Sequence, residues 1–172
     1  CHYYRGANFE QAPKKIAFVF SCPGQREEMD GIPASPNGQT GKNLDKLLDL
    51  LKIGRECVII TNAWSYVEYK NKTGRSEALC SEIKQKFNLK RLMNELYPHE
   101  LNLVVLSGSK AQYAYSKAGL GNHFKARNVP HLGSRGLQSI REEELVGVDD
   151  VGFTEKRLLY LCDLIRCDIS GD

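Results

Sequence analysis

Three short stretches of this 172-residue chain are apolar almost without a break: KIAFVF at residues 15–20, CVIITNA at 57–63 and LNLVVLSGS at 101–109. Each is rich in β-formers, and the first ends at the turn sequence Ser-Cys-Pro-Gly. Unbroken apolar runs, rather than alternation, predict strands covered on both faces. KARNVPHL supplies a fourth short strand over residues 126–130. Helical spacing fills the intervals. Leu44, Leu47, Leu48 and Leu51 recur at three- and four-residue steps, as do Ile83, Phe87, Leu89, Leu92, Met93 and Leu96. SKAQYAYSKAG follows the third strand, with Gly119 a helix stop. FTEKRLLYLCDLIRC closes the chain as an amphipathic helix with Thr154 as its cap. Strands alternating with helices predict an α/β fold: a three-layer α/β/α arrangement around a central, mainly parallel four-stranded sheet. Without an internal repeat or a linker, residues 1–172 read as one domain.

Residues 25–41 break the rhythm. They have no apolar periodicity and carry Pro33, Pro36 and three glycines. A loop of about seventeen residues in a compact domain is usually functional. Ligands of open α/β sheets gather at the carboxyl ends of the strands. That rule selects residues 21–24, 61–64, 107–110 and 131–135, all rich in small, polar or ring-bearing residues.

Composition adds limits. The formal net charge is +3, from 24 basic and 21 acidic residues. That balance does not require a nucleic-acid partner. However, Lys110, Lys117, Lys125, Arg127 and Arg135 fall in a stretch that has no acidic residue between Glu100 and Arg141. It reads equally as a phosphate-facing patch and as a solvated face. No apolar run approaches the roughly 18 residues of a membrane span, and no signal peptide is visible. A chain beginning at Cys1 without Met is expected to lack residues that precede it. Cysteines stand at 1, 22, 57, 80, 162 and 167 without a C-x-x-C pair. Cys57, Cys80 and Cys162 read as small core residues. No disulfide framework and no metal site is expected, and the setting is a reduced cytoplasm.

SPNGQTGKNLDKLLDLL, residues 35–51, invites comparison with a nucleotide phosphate loop. That loop needs G-x-x-x-x-G-K followed by Ser or Thr. Pro36 stands in place of the first glycine and Asn43 in place of the magnesium ligand. The segment also begins far from its strand. What remains is a stretch of exposed amides before a helix, with Lys42 in its first turn, suited to an anion of another kind.

The order of these motifs resembles the uracil-DNA glycosylase superfamily, and its family 4 branch most closely. FSCPGQ stands at the end of the first strand, with Pro23 and Gly24 matching; GIP follows at residues 31–33. GKNLDKLLDLL opens the helix after what looks like a two-residue insertion. Ile60-Thr61-Asn62 ends the second strand, VVLSGSKAQYA carries the third, and PHLGSRGL matches the last motif in part. The resemblance covers residues 15–165.

It implies excision of a base flipped out of DNA, duplex or single-stranded, by hydrolysis of its N-glycosidic bond. An oriented water, negative charge near the sugar and donors near the base oxygen would be needed. By this resemblance His131 donates toward the base. Glu27, with Glu28 and Asp30 as alternatives, orients the water. Ser21, Cys22, Pro23, Gly24, Ala34 and Asn62 surround the base, Asn62 reading a pyrimidine edge. Lys42, Ser107, Ser109 and Lys110 hold backbone phosphates. Arg135, Ser134 or Leu132 press into the gap left by the base.

There are departures. Ser21 stands where the branch has a glutamate, and Cys22 where other branches have Asp or Asn. Cys22 also reads as a nucleophile, although hydrolysis by water needs none. The stacking phenylalanine is Ala34, which predicts a larger pocket. The iron–sulfur cysteines are not matched, so no cofactor is expected. Two substrates stand open: uracil or another deaminated base, and a bulky modified pyrimidine such as the modified cytosine of phage DNA, the role being repair or antiviral defence. A non-catalytic DNA-binding module on the same fold is the alternative, and a flavodoxin-like nucleotide binder a third. The resemblance goes with a monomer and no membrane partner.

Overall fold

The structure, a computed structural model, describes residues 3–170. Cys1 lies outside the described residues. The three apolar runs form β2 (Ile16–Phe20), β3 (Val58–Asn62) and β4 (Leu103–Ser107), after a two-residue strand β1 (Tyr4–Arg5); β5 is Ala126–Val129. All residues of β2, β3 and β4 are buried, as continuous apolar runs require. The sheet order is β1-β3-β2-β4-β5, with β1 antiparallel and the other pairs parallel. Among the described residues the sheet therefore has five strands rather than four. The fifth was invisible because two residues, pairing Tyr4 with Ile60 and Arg5 with Ile59, carry no period.

Eight helices accompany the sheet among the described residues: α1 (Gln25–Asp30), α2 (Gln39–Leu51), α3 (Lys70–Thr73), α4 (Cys80–Ile83), α5 (Lys86–Leu96), α6 (Ser109–Lys117), α7 (Ser134–Gln138) and α8 (Phe153–Ser170). Strand pleating divides the core in two. Ile16, Phe18, Phe20, Val58, Ile60 and Val105 pack with Leu44, Leu47 and Leu48 of α2 and Leu158, Leu161 and Ile165 of α8. Ala17, Val19, Ile59, Val104 and Leu106 pack with Leu92 and Leu96 of α5 and Ala111, Ala114 and Tyr115 of α6. Helices thus cover both faces. No helix among the described residues is long and apolar enough to cross a membrane.

Four sequence expectations change. Residues 25–41 are not one loop: α1 and the start of α2 occupy both ends, leaving 31–38 irregular. The apolar pattern from Ile83 to Leu96 belongs to two helices, and Phe87 is 50% exposed rather than in the core. Thr154 lies inside α8, which begins at Phe153, so it is not the cap. Cys162 is buried, but Cys57 is only half-buried and Cys80 is exposed.

β2 lies between β3 and β4, so the chain steps from β2 to β3 on one side and then crosses back over β2 to β4 on the other. That creates a switch point at the carboxyl ends of these strands, the usual seat of a ligand in such sheets.

Candidate active site

A cleft of about 570 Å³ opens at this switch point. Ser21, Cys22 and Gly24 reach it from the end of β2, Gly108 and Ser109 from the end of β4, and His131, Arg135 and Gly136 from the turn after β5. Thr40 of α2 and the residues Glu68, Tyr69, Ser76 and Glu77 after β3 close it. The segment after β3 is held in place by its backbone. The amides of Ala63, Trp64 and Glu68 donate to the carbonyls of Phe20, Ser21 and Pro23 at 2.7, 2.9 and 3.0 Å.

His131 sits where three chain segments converge. Ser107 Oγ accepts the Leu132 amide at 3.1 Å and donates to the Pro130 carbonyl at 3.5 Å. Asn43 Nδ2 of α2 donates to the Leu132 carbonyl at 2.6 Å. Gly136 packs so closely that a Cβ there would lie 1.7 Å from the His131 carbonyl oxygen. The Gly133 amide donates to Nδ1 at 3.0 Å. With Nδ1 accepting, the neutral ring carries its proton on Nε2, which has no partner among the described residues and is left for the cleft. Burial pushes the imidazole pKa down, opposed in part by the charge of Glu77. His131 is therefore a neutral donor near pH 7.

Of the acids at the cleft, only one is uncommitted. Glu27 accepts the Gly24 amide with Oε1 and the Ser35 amide with Oε2, both at 2.8 Å. It caps α1 and pins the next loop. Glu68 is buried, takes the Trp64 indole N–H at 2.9 Å and pairs with Arg75, whose hydrogen bonds hold its pKa down at about 2. Glu77 receives only the Ser21 hydroxyl, at 2.8 Å on Oε2, and its Oε1 has no partner among the described residues.

Several expected residues fall elsewhere. Glu28 forms an ion pair with Lys72 and accepts the Tyr69 hydroxyl at 2.8 Å, strapping α1 to α3; the Lys72 contact lowers its pKa. Asp30 accepts from Ser35 Oγ and Asn37 Nδ2, which lower its pKa, and organises residues 30–37. Neither lines the cleft. Pro23 is buried behind it. Ala34 is packed in the core, its carbonyl accepting from Arg55, so the missing phenylalanine does not enlarge the cleft. Asn62 is 2% exposed and outside the lining; its Nδ2 is buried with no partner. Ser107 is fully buried and holds the His131 turn, so it cannot meet a phosphate. Lys110 donates to the Ala78 carbonyl at 2.8 Å. Lys42 and Ser134 are exposed beside the cleft's walls but do not line it. Ser21, Cys22, Gly24, Glu27, Ser109, His131 and Arg135 do come together. Cys22 is held as a thiol rather than a thiolate: burial pushes its pKa up to about 11, and Sγ donates to the Ser76 carbonyl at 3.4 Å. Most of the basic stretch faces away from the cleft. Lys125 and Arg127 are bound to Asp168, Lys117 stands over the Tyr113 ring, and only Arg135 lines the cleft.

No family model and no curated protein matches this chain. The sequence did not single out Glu77, Glu68, Tyr69, Ser76 or Gly136, whereas Thr40 belongs to the polar insertion over residues 37–40 expected to shape the pocket. For Glu68, Tyr69, Ser76 and Glu77 the signal was available: residues 65–79 form a mostly polar stretch soon after a strand's carboxyl end. Among the described residues no group of three or more His, Cys, Asp or Glu side chains is placed to hold a metal ion.

Proposed function

We propose that this protein is a DNA glycosylase with a three-layer fold of the uracil-DNA glycosylase kind. The observation that carries the reading is a neutral Nε2–H donor on His131 and an uncommitted carboxylate on Glu77 lining one cleft. Glycosidic hydrolysis needs that pair of groups. The Glu77 carboxylate stabilises the cationic sugar and accepts a proton from water as its oxygen bonds to C1′. The C1′–N bond breaks, and the base leaves as an anion stabilised by His131 Nε2–H. The base then takes up the proton. Glu77 and Ser21 together supply what a strand-end carboxylate would. That favours an enzyme over a binding module that has lost its acid.

A cleft of about 570 Å³ lies within the range of roughly 300–1,000 Å³ usual for small-molecule sites. It leaves room for a substituted pyrimidine as well as for uracil, and Thr40, from the insertion at residues 37–40 just before Gly41, adds a hydroxyl to its wall. The test is abasic-site formation, read as alkali-sensitive cleavage, on DNA containing uracil and on phage DNA containing modified cytosine. The wild type should cleave at least one, and His131→Gln should slow it roughly a hundred- to thousand-fold, as for loss of one oxyanion donor. Tight DNA binding without abasic sites in either substrate would leave the binding-module reading in its place.

A further inference from the structure

Beside the cleft, at the same end of the sheet, two aromatic rings face solvent. Tyr66 is 57% exposed and Phe87 50%. Both lean on Trp64, which is 6% exposed, with ring centroids 5.2 and 5.9 Å away, and the two rings are 6.4 Å from each other. The indole is itself fixed, because its N–H donates to the buried Glu68. These rings are therefore held in place before any partner arrives, and little side-chain freedom remains to be lost on binding.

The charge around them is one-sided. Lys70, Lys84, Lys86 and Lys90 are exposed, and their ammonium groups make no hydrogen bond or ion pair with another described residue. Four carboxylates of the same wall are engaged, and a fifth, Glu77, lines the cleft with one oxygen open. Arg75 holds Glu68 and Glu82, Lys72 holds Glu28, and Arg91 holds Glu95. A groove of about 550 Å³ runs from Phe87 past Lys90 and Asn94. α5 begins at the sheet's carboxyl end and runs back to β4, so Phe87, in its first turn, shares the end of the molecule with the cleft. Tyr69, three residues beyond Tyr66, lines that cleft.

We propose that Tyr66 and Phe87, flanked by Lys84, Lys86 and Lys90, form a stacking platform for single-stranded DNA. Fixed rings flanked by uncompensated lysines suit bases stacked along a phosphate backbone, whereas an apolar protein partner would leave those lysines without countercharge. The choice of DNA rests on the reading of the neighbouring cleft; the platform's chemistry does not.

The test is binding of a fluorescein-labelled single-stranded thymidine oligonucleotide, followed by anisotropy across a salt series. It contains no base to excise, so its outcome is independent of base excision. Tyr66→Ala with Phe87→Ala should weaken binding roughly ten-fold or more, since base–aromatic stacking contributes that much per ring, with the salt dependence retained. Tyr66→Phe with Phe87→Tyr should bind like the wild type. Lys84→Gln, Lys86→Gln and Lys90→Gln together should reduce the slope of log K against log salt by about 2. All variants change exposed side chains and should melt with the wild type. Wild-type affinity in the double alanine variant would overturn the proposal. So would equal or tighter binding of duplex DNA, or of an RNA oligonucleotide of matching sequence.

Discussion

Two glutamates at the cleft show how partners, rather than residue type, assign roles. Glu27 and Glu77 both line it, but Glu27 accepts a backbone amide with each oxygen and Glu77 keeps one oxygen open. A glutamine at 27 loses one acceptor for an amide, which should lower stability by about 1–2 kcal/mol through an unsatisfied donor. A glutamine at 77 keeps the shape and the Ser21 contact but removes the charge. Glu77→Gln should therefore slow base release roughly a hundred- to ten-thousand-fold at unchanged melting temperature, as for loss of one acid–base group. Glu27→Gln should lower the melting temperature and slow the reaction far less. Single-turnover rates beside thermal melts compare the two; equal rate losses would show that the acid had been misassigned.

Among the elements, the junction of residues 31–38 with α2 explains a motif that sequence comparison only names. Gly41 and Lys42 look like part of a phosphate loop. The glycine is required because α2 packs on the loop's backbone: a Cβ on Gly41 would lie 1.8 Å from the Ser35 carbonyl oxygen and 2.4 Å from that of Ala34. Asn43, where a magnesium ligand would stand, is buried and ties α2 to the His131 turn. Gly41→Ala should destabilise the protein by about 3 kcal/mol, the upper part of the range for overpacking. For a domain of this size that is a fall of about 6–12 °C in melting temperature. Calorimetry decides it: a midpoint within about 2 °C of the wild type would mean that the approach of α2 to the loop is looser than drawn.

For the molecule as a whole, buried titratable groups set the pH range of stability. The His131 pKa lies below its ordinary 6.5, so the unfolded chain binds that proton more tightly, and stability falls as pH drops below 6.5. Glu68 is depressed from 4.5 to about 2, so its contribution is present above 4.5 and is lost as pH falls toward 2. Cys22 is raised from 9.0 to about 11; the unfolded thiol ionises first, and stability declines as pH rises above 9.0. Denaturant midpoints should therefore be flat between about pH 6.5 and 9 and fall on both sides. Glu68→Ala should lose roughly 2 kcal/mol at neutral pH, less than for a fully broken buried pair because Arg75 keeps Glu82, and should flatten the acid limb below pH 4.5. An acid limb unchanged in this variant would remove Glu68 from the account.

The sequence by itself determined the parallel strands and the main helices. Five-residue apolar runs can only be buried on both faces, and leucines at three- and four-residue steps need a helix to line up. It also placed His131, Ser21 and Arg135 at strand ends, where the switch-point rule puts a ligand. It missed β1 because a two-residue strand has no pattern, and it misplaced Ser107, because burial of a strand's last hydroxyl depends on what packs over it. Only the tertiary structure decided which carboxylate is free. Glu27, Glu28, Asp30, Glu68 and Glu77 are alike as residues. Contacts with partners as far as 44 positions away, as between Glu28 and Lys72, engage the other four, and Glu77, held only by Ser21, keeps one oxygen open in the cleft.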